Sequence, residues 1–140
     1  MNDEVFIDSN LWIYLYSEED KSDIIAKLIN KHFDHIIIST QVLGECFNVL
    51  TKKKIKTLEE VKEIIDDIAS IAEVSGIDKL IVARAIEIYT RYKYSYYDSL
   101  IIASALENDC AILYTEDLHH SQVIDEKLTI INPFIKPKHE

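Results

Sequence analysis

A three-layer α/β fold, with helices on both faces of a mainly parallel sheet, is what this sequence predicts. Short β-branched runs alternate with stretches whose apolar residues recur at the helical period. One run, Ile36-Ile37-Ile38, is apolar without interruption, as expected of a strand covered on both sides. Helices between successive strands require crossover connections and therefore parallel pairing. With only two glycines and two prolines in 140 residues there is little sequence for long loops or a linker, so one domain over 1–140 is expected, its core about 4–134.

The elements follow in order. Glu4 to Ile7 reads as a short strand ending at Asp8, and Leu11 to Tyr16 opens a helix. Lys21 to His32 is helical, with Ile24, Ile25, Leu28 and Ile29 on its inner face. After the Ile36–Ile38 strand, Ser39 or Thr40 caps a helix that runs to about Lys53 on Val42, Leu43, Phe47 and Leu50. Thr57 to Ile71 is a helix on Leu58, Val61, Ile65 and Ile68; Glu73 to Ser75 is a brief strand punctuated by Gly76. Ile77 to Tyr92 is helical on Leu80, Ile81, Ala85 and Ile88, and Asp98 to Asn108 on Ile101, Ile102, Ala105 and Leu106. Ala111 to Tyr114 and Thr129 to Ile131 are the last strands.

Composition narrows the function. Fifteen basic against 25 acidic residues give a formal net charge of -10, which argues against a protein that coats nucleic acid through phosphate neutralisation. It leaves room for an enzyme that grips one phosphodiester through a metal, and for a basic protein partner. The Lys52-Lys53-Lys54 run with Lys56 reads as a solvated helix C-terminus complementing the helix dipole, or as an RNA-backbone contact. No apolar run reaches the roughly 20 residues of a membrane span. The acidic Met-Asn-Asp-Glu start is unlike a secretory signal, and Cys46 and Cys110 read as reduced thiols, so a cytoplasmic protein is expected.

Four acids sit where strands end or helices begin: Asp8 in Val-Phe-Ile-Asp-Ser-Asn, Glu45 in Gln-Val-Leu-Gly-Glu-Cys, Asp98 in Ser-Tyr-Tyr-Asp-Ser-Leu, and Asp117 in Leu-Tyr-Thr-Glu-Asp-Leu. In open parallel sheets the active crevice lies beyond the carboxyl ends of the strands, where such placements converge. Desolvating several carboxylates together is costly unless a cation or proton compensates them, and a hard divalent metal suited to phosphodiester chemistry is the simplest compensation. Taken singly each has a plainer role. Asp8 or Ser9 and Asp98 can cap helices, Glu45 can face solvent, and Asp117 can belong to a turn.

Together these segments resemble those of PIN-domain ribonucleases, in particular the VapC toxins of toxin–antitoxin pairs. Asp8-Ser9-Asn10 resembles the opening acid, small hydroxyl residue and Asn, with Ser9 where threonine is more frequent. Ser95 to Ala103 resembles the segment in which the third acid opens an Ala-rich helix. Thr115-Glu116-Asp117-Leu118 resembles the fourth-acid region, and Ile131-Asn132-Pro133-Phe134 the closing strand and tail. The resemblance implies strand order 3-2-1-4-5 and a Mg2+- or Mn2+-dependent endoribonuclease leaving a 3′-hydroxyl and a 5′-phosphate. Asp8, Asp98 and Asp117 would be direct or water-mediated metal ligands, and Glu45 would hold a second ion or orient the attacking water. Ser9, Asn10 and Thr115 would hydrogen-bond the carboxylates or the phosphate. It also implies an RNA substrate, a homodimer and a cognate antitoxin whose arm plugs the acidic pocket, with Trp12, Leu11, Leu15 and Tyr16 near its mouth or in the core.

The surrounding residues give weaker signals. Tyr89, Tyr92, Tyr94, Tyr96 and Tyr97 crowd the approach to Asp98, and packing between helices is favoured there over an RNA-stacking platform. Cys46 reads as a small buried hydrophobe, and His119 and His120 are left outside the site. A receiver domain needs paired acids after its first strand and a lysine after its last; a haloacid-dehalogenase-type phosphatase needs Asp-x-Asp, where position 10 is Asn. The remaining rival is a PIN fold that binds RNA or protein without cutting.

Overall fold

The computed structural model describes residues 3–17, 20–54 and 56–136. Its elements run β1 (Val5–Ile7), α1 (Ser9–Leu15), α2 (Lys21–Lys31), β2 (Ile36–Ser39), α3 (Thr40–Lys52), α4 (Leu58–Ile71), β3 (Glu73–Ser75), α5 (Lys79–Tyr92), α6 (Tyr96–Glu107), β4 (Ile112–Tyr114), β5 (Val123–Ile124) and β6 (Leu128–Ile131). The strands form one sheet in the order β3-β2-β1-β4-β6-β5, parallel throughout except for the β5–β6 pair. The five strands expected from the sequence occur in the order 3-2-1-4-5; the sequence reading missed β5.

Local chemistry explains where the helices start. Asp8 caps α1 by accepting the Ser9 N–H at 2.7 Å, and Ser39 caps α3 through the Val42 N–H at 3.4 Å. Thr57 and Glu60 form a reciprocal capping box at the head of α4. α6 begins two residues earlier than expected, because Ser95, not Asp98, is its N-cap and accepts the Asp98 N–H at 3.1 Å. Asp98 therefore lies in the first turn with its carboxylate released from capping.

The chain moves outward from β1 to β2 to β3, then returns across β1 to add β4. Right-handed crossovers put α1 to α4 on one face and, after that reversal, α5 and α6 on the other. The packing agrees: α5 lies on α6, whereas α1 to α4 pack on one another. α6 is buried from Ser99 through Leu106, enclosed between α5 and the sheet. The reversal between β1 and β4 is the switch point at which ligands bind in such sheets, beyond the strands' carboxyl ends.

Trp12 belongs to the core rather than the mouth of the site. It is fully buried, and its indole Nε1–H donates to the Ile7 carbonyl at 3.1 Å, next to Asp8. Trp12→Phe should cost about 2–4 kcal/mol, through a cavity and an orphaned carbonyl, measured by urea denaturation. Cys46 is buried as expected, and burial pushes its thiol up to about 12. Lys52 and Lys53 end α3, the dipole-complementing placement, and among the described residues neither lines the acidic cavity.

Candidate active site

All four sequence-predicted acids line one cavity of about 240 Å3 at the carboxyl ends of β1 and β4. Asp8 follows β1, Glu45 projects from α3, Asp98 from the first turn of α6, and Asp117 from the loop after β4. None of the described residues lining the cavity is a lysine, arginine or histidine.

Asp8 is the deepest of the four, 7% exposed. Its Oδ1 accepts the Ser9 N–H at 2.7 Å, and its Oδ2 accepts the Thr115 hydroxyl at 2.9 Å. Burial outweighs those hydrogen bonds and, with the nearby Glu45 and Asp117 charges, pushes the carboxyl up to about 6. Glu45 is also raised, first by burial and further by Asp98 and Asp117, against hydrogen bonds from Gln41 and Ser9. Asp117 accepts Asn10 Nδ2 at 2.6 Å, and its carboxyl is raised by burial and by the Glu116 and Asp98 charges. The acids therefore sense one another across the cavity, and their ionised forms lack a compensating cation among the described lining residues.

The residues flanking the acids hydrogen-bond them. Ser9 and Thr115 hold Asp8, Asn10 holds Asp117, and the Thr115 hydroxyl accepts the Asp117 N–H at 3.2 Å. Glu116 turns away from the cavity to accept the Tyr14 hydroxyl and Lys21 Nζ, the latter at 2.9 Å. His119 packs against Tyr94, and His120 Nδ1 accepts the Asn132 N–H at 2.9 Å; neither lines the cavity.

The sequence reading missed Gln41 and Asn48, which line the same cavity, and favoured packing over the exposed place that Tyr97 takes there. Gln41 and Asn48 lie four residues before and three after Glu45, so the face of α3 that carries Glu45 already marked them. The expected packing between helices holds for Tyr92, which is partly buried, but fails for Tyr89, Tyr96 and Tyr97, which are exposed. Exposed Tyr89 lies in the last turns of α5, and Tyr97 is the second residue of α6, in the turn that lines the cavity.

The sequence pattern that defines the PIN domain matches residues 5–125. The chain belongs to the PIN domain family. Solved structures share its fold. One is a chain of a toxin–antitoxin complex from Klebsiella pneumoniae, 18% identical with TM-score 0.74, spanning 94% of this chain and 98% of that one. Another is a chain of DNA-bound VapBC from Salmonella typhimurium, 20% identical with TM-score 0.70, spanning 93% and 97%. A third is Mycobacterium tuberculosis VapC20, a sarcin–ricin loop cleaving toxin, 18% identical with TM-score 0.67, spanning 81% and 90%. At these identities the likeness is one of fold. No curated protein matches the chain. In this PIN domain, the four acids occupy the switch point of the sheet.

Proposed function

We infer that this PIN domain is a divalent-metal-dependent endoribonuclease and the toxin of a type II toxin–antitoxin pair. The observation that carries the reading is one cavity lined by Asp8, Glu45, Asp98 and Asp117, with no cationic side chain among its described lining residues. The donor set is all hard oxygen, which suits Mg2+ or Mn2+. Among the described residues no three Asp, Glu, His or Cys side chains are arranged as a ready-made metal cage. Asp8, Asp98 and Asp117 would hold it directly or through water. The bound metal would supply charge neutralisation at the phosphoryl oxygens and activation of water.

The protein's own groups would orient that chemistry. The Ser9 N–H and Thr115 hydroxyl fix the Asp8 oxygens, and Asn10 fixes Asp117. Glu45, with its raised carboxyl pKa, would orient the attacking water and take its proton at the carboxylate. The products would carry a 3′-hydroxyl and a 5′-phosphate. The solved neighbours from Klebsiella pneumoniae and Salmonella typhimurium are toxin–antitoxin assemblies, which supports a cognate antitoxin for this chain. A basic side chain from that partner would neutralise the acidic pocket, and a homodimer would be the toxin's own assembly. Among the described residues no helix is long and apolar enough to cross a membrane, and a cytoplasmic RNA is the substrate class proposed.

The deciding experiment maps new 5′-phosphate RNA ends after brief induction of wild type and of Asp98→Asn at matched soluble levels. Ends seen only with wild type support the nuclease reading and name the RNA. Absence of new ends from both moves the non-cutting PIN module to the front. With purified protein, chelator should abolish cleavage and Mg2+ or Mn2+ restore it; cleavage that persists without a divalent ion overturns the metal dependence.

A further inference from the structure

Tyr97 stands apart from the other exposed aromatics. The residue is 67% exposed, yet it lines the same cavity as the four acids. Phe33 is almost as exposed, but it precedes β2, at the amino end of the parallel strands and away from their carboxyl ends. The placement of Tyr97 is fixed from two sides. Gln41 Nε2 donates to its backbone carbonyl at 3.2 Å, tying the head of α6 to α3. The Tyr96 ring meets its ring edge-on, with centroids 5.5 Å apart and planes at 66°. An aromatic face held this way needs little ordering when something stacks on it.

The electrostatics restrict what that face can contribute. With a net charge of -10 and no lysine or arginine among the described lining residues, the cavity cannot draw a polyanion by phosphate neutralisation. Affinity for an RNA segment must therefore come largely from the metal and from contacts that carry no charge. Stacking of a base on an aromatic ring is an uncharged contact worth about 1–3 kcal/mol, and it is tolerant of sequence. A base inside a duplex is already stacked on both faces, so only an unpaired nucleotide can offer one.

We propose that Tyr97 is the base-stacking residue of this site, holding an unpaired nucleotide beside the phosphodiester to be cut, with Tyr96 buttressing its ring. The inference rests on the nuclease reading and adds to it one residue that touches the substrate. Tyr97 touches substrate but takes no part in bond breaking.

The test measures binding of fluorescein-labelled decauridylate and decaadenylate to Asp98→Asn protein, which serves as the uncleaving parent. Adding Tyr97→Leu should weaken both by about 5- to 150-fold, the range of one lost stacking contact. Adding Tyr97→Phe should leave affinity unchanged, because the ring remains, and so should Phe33→Leu at the amino end of β2. The loss should be the same at low and high salt, since stacking is not screened. Against an abasic decamer, Tyr97→Leu should bind as the parent does; an equal loss there would overturn stacking as the cause. Cleavage by wild type is scored separately through new 5′-phosphate ends. If wild type cuts and Tyr97→Leu binds as tightly as its parent, the stacking role falls alone and the exposed ring is left to a protein partner. If wild type does not cut and the parent binds neither oligomer, this inference falls together with the nuclease reading.

Discussion

Replacing Asp98 by asparagine is expected to lower RNA cleavage by about a thousandfold or more while leaving the fold intact. The Asp98 carboxylate lines the cavity, yet it accepts no hydrogen bond from the described residues, because the cap of α6 is made by Ser95. The isosteric amide therefore disrupts no described intramolecular contact, and a stability change within about 0.5 kcal/mol is expected. Function is another matter. The substitution removes one of the anionic oxygens proposed to hold the ion, and charge stabilisation at the reacting phosphoryl group is the largest contribution such a site makes. The informative control is Glu116→Gln. Glu116 adjoins Asp117 in sequence but faces Tyr14 and Lys21 instead of the cavity, so its loss should change cleavage only a few-fold. Rates of both variants on the mapped RNA, with urea denaturation in parallel, decide the matter. An Asp98→Asn protein that keeps a substantial share of wild-type activity would remove Asp98 from the site.

That contrast between neighbouring acids shows how far the sequence could be read. The β-branched runs and helical apolar periods located every strand but one, because burial on both faces of a parallel sheet leaves a plain signature in residues such as Ile36, Ile37 and Ile38. β5 escaped because it is only two residues long and its turn lacks the usual glycine or asparagine signal. Asp125 and Glu126 take positive φ there, 51° and 58°, and the turn is clasped through Asp125 by Arg84 at 2.6 Å, Arg91 at 2.7 Å and Tyr92 at 3.0 Å. Those contacts come from α5, more than thirty residues away in sequence, and no local pattern announces them. At the site, the convergence of Asp8 and Asp117 was legible from strand-end placement, and that of Asp98 and Glu45 from their places on helices together with the resemblance of the four segments. Which tyrosines are exposed was not, since Tyr96 and Tyr97 follow an N-cap whose position fixes the facing of the first turn of α6. Reading Asp98 as the cap displaced that turn and turned the tyrosines inward.

The metal-free protein is expected to lose stability as pH rises from about 4 to about 6, and Asp8→Asn should remove most of that loss. The Asp8 carboxyl stands at 3.8 when unfolded and is pushed to about 6 in the fold, mainly by burial. A group whose folded pKa is raised favours folding fully below its unfolded value, where both states are protonated. That stability is lost as pH climbs from the unfolded value up through the folded one, because the unfolded state releases its proton over that range while the native state still holds it. A shift of this size corresponds to about 3 kcal/mol. Asparagine avoids the cost: its amide oxygen can accept the Ser9 N–H, and its amide nitrogen can donate to the Thr115 hydroxyl oxygen. At pH 8 without metal the variant should therefore be the more stable protein by up to about 3 kcal/mol, whereas at pH 4 the two should be nearly equal. Added Mg2+ should raise wild type at pH 8 by mass action and leave the variant behind, reversing their order once the ion is well above its dissociation constant. Urea denaturation between pH 4 and 8, with chelator and with Mg2+, reads all of this. A wild-type profile that is flat without metal would mean that the Asp8 charge is already compensated within the protein, and the argument that the four-acid cavity requires a cation would lose its energetic basis.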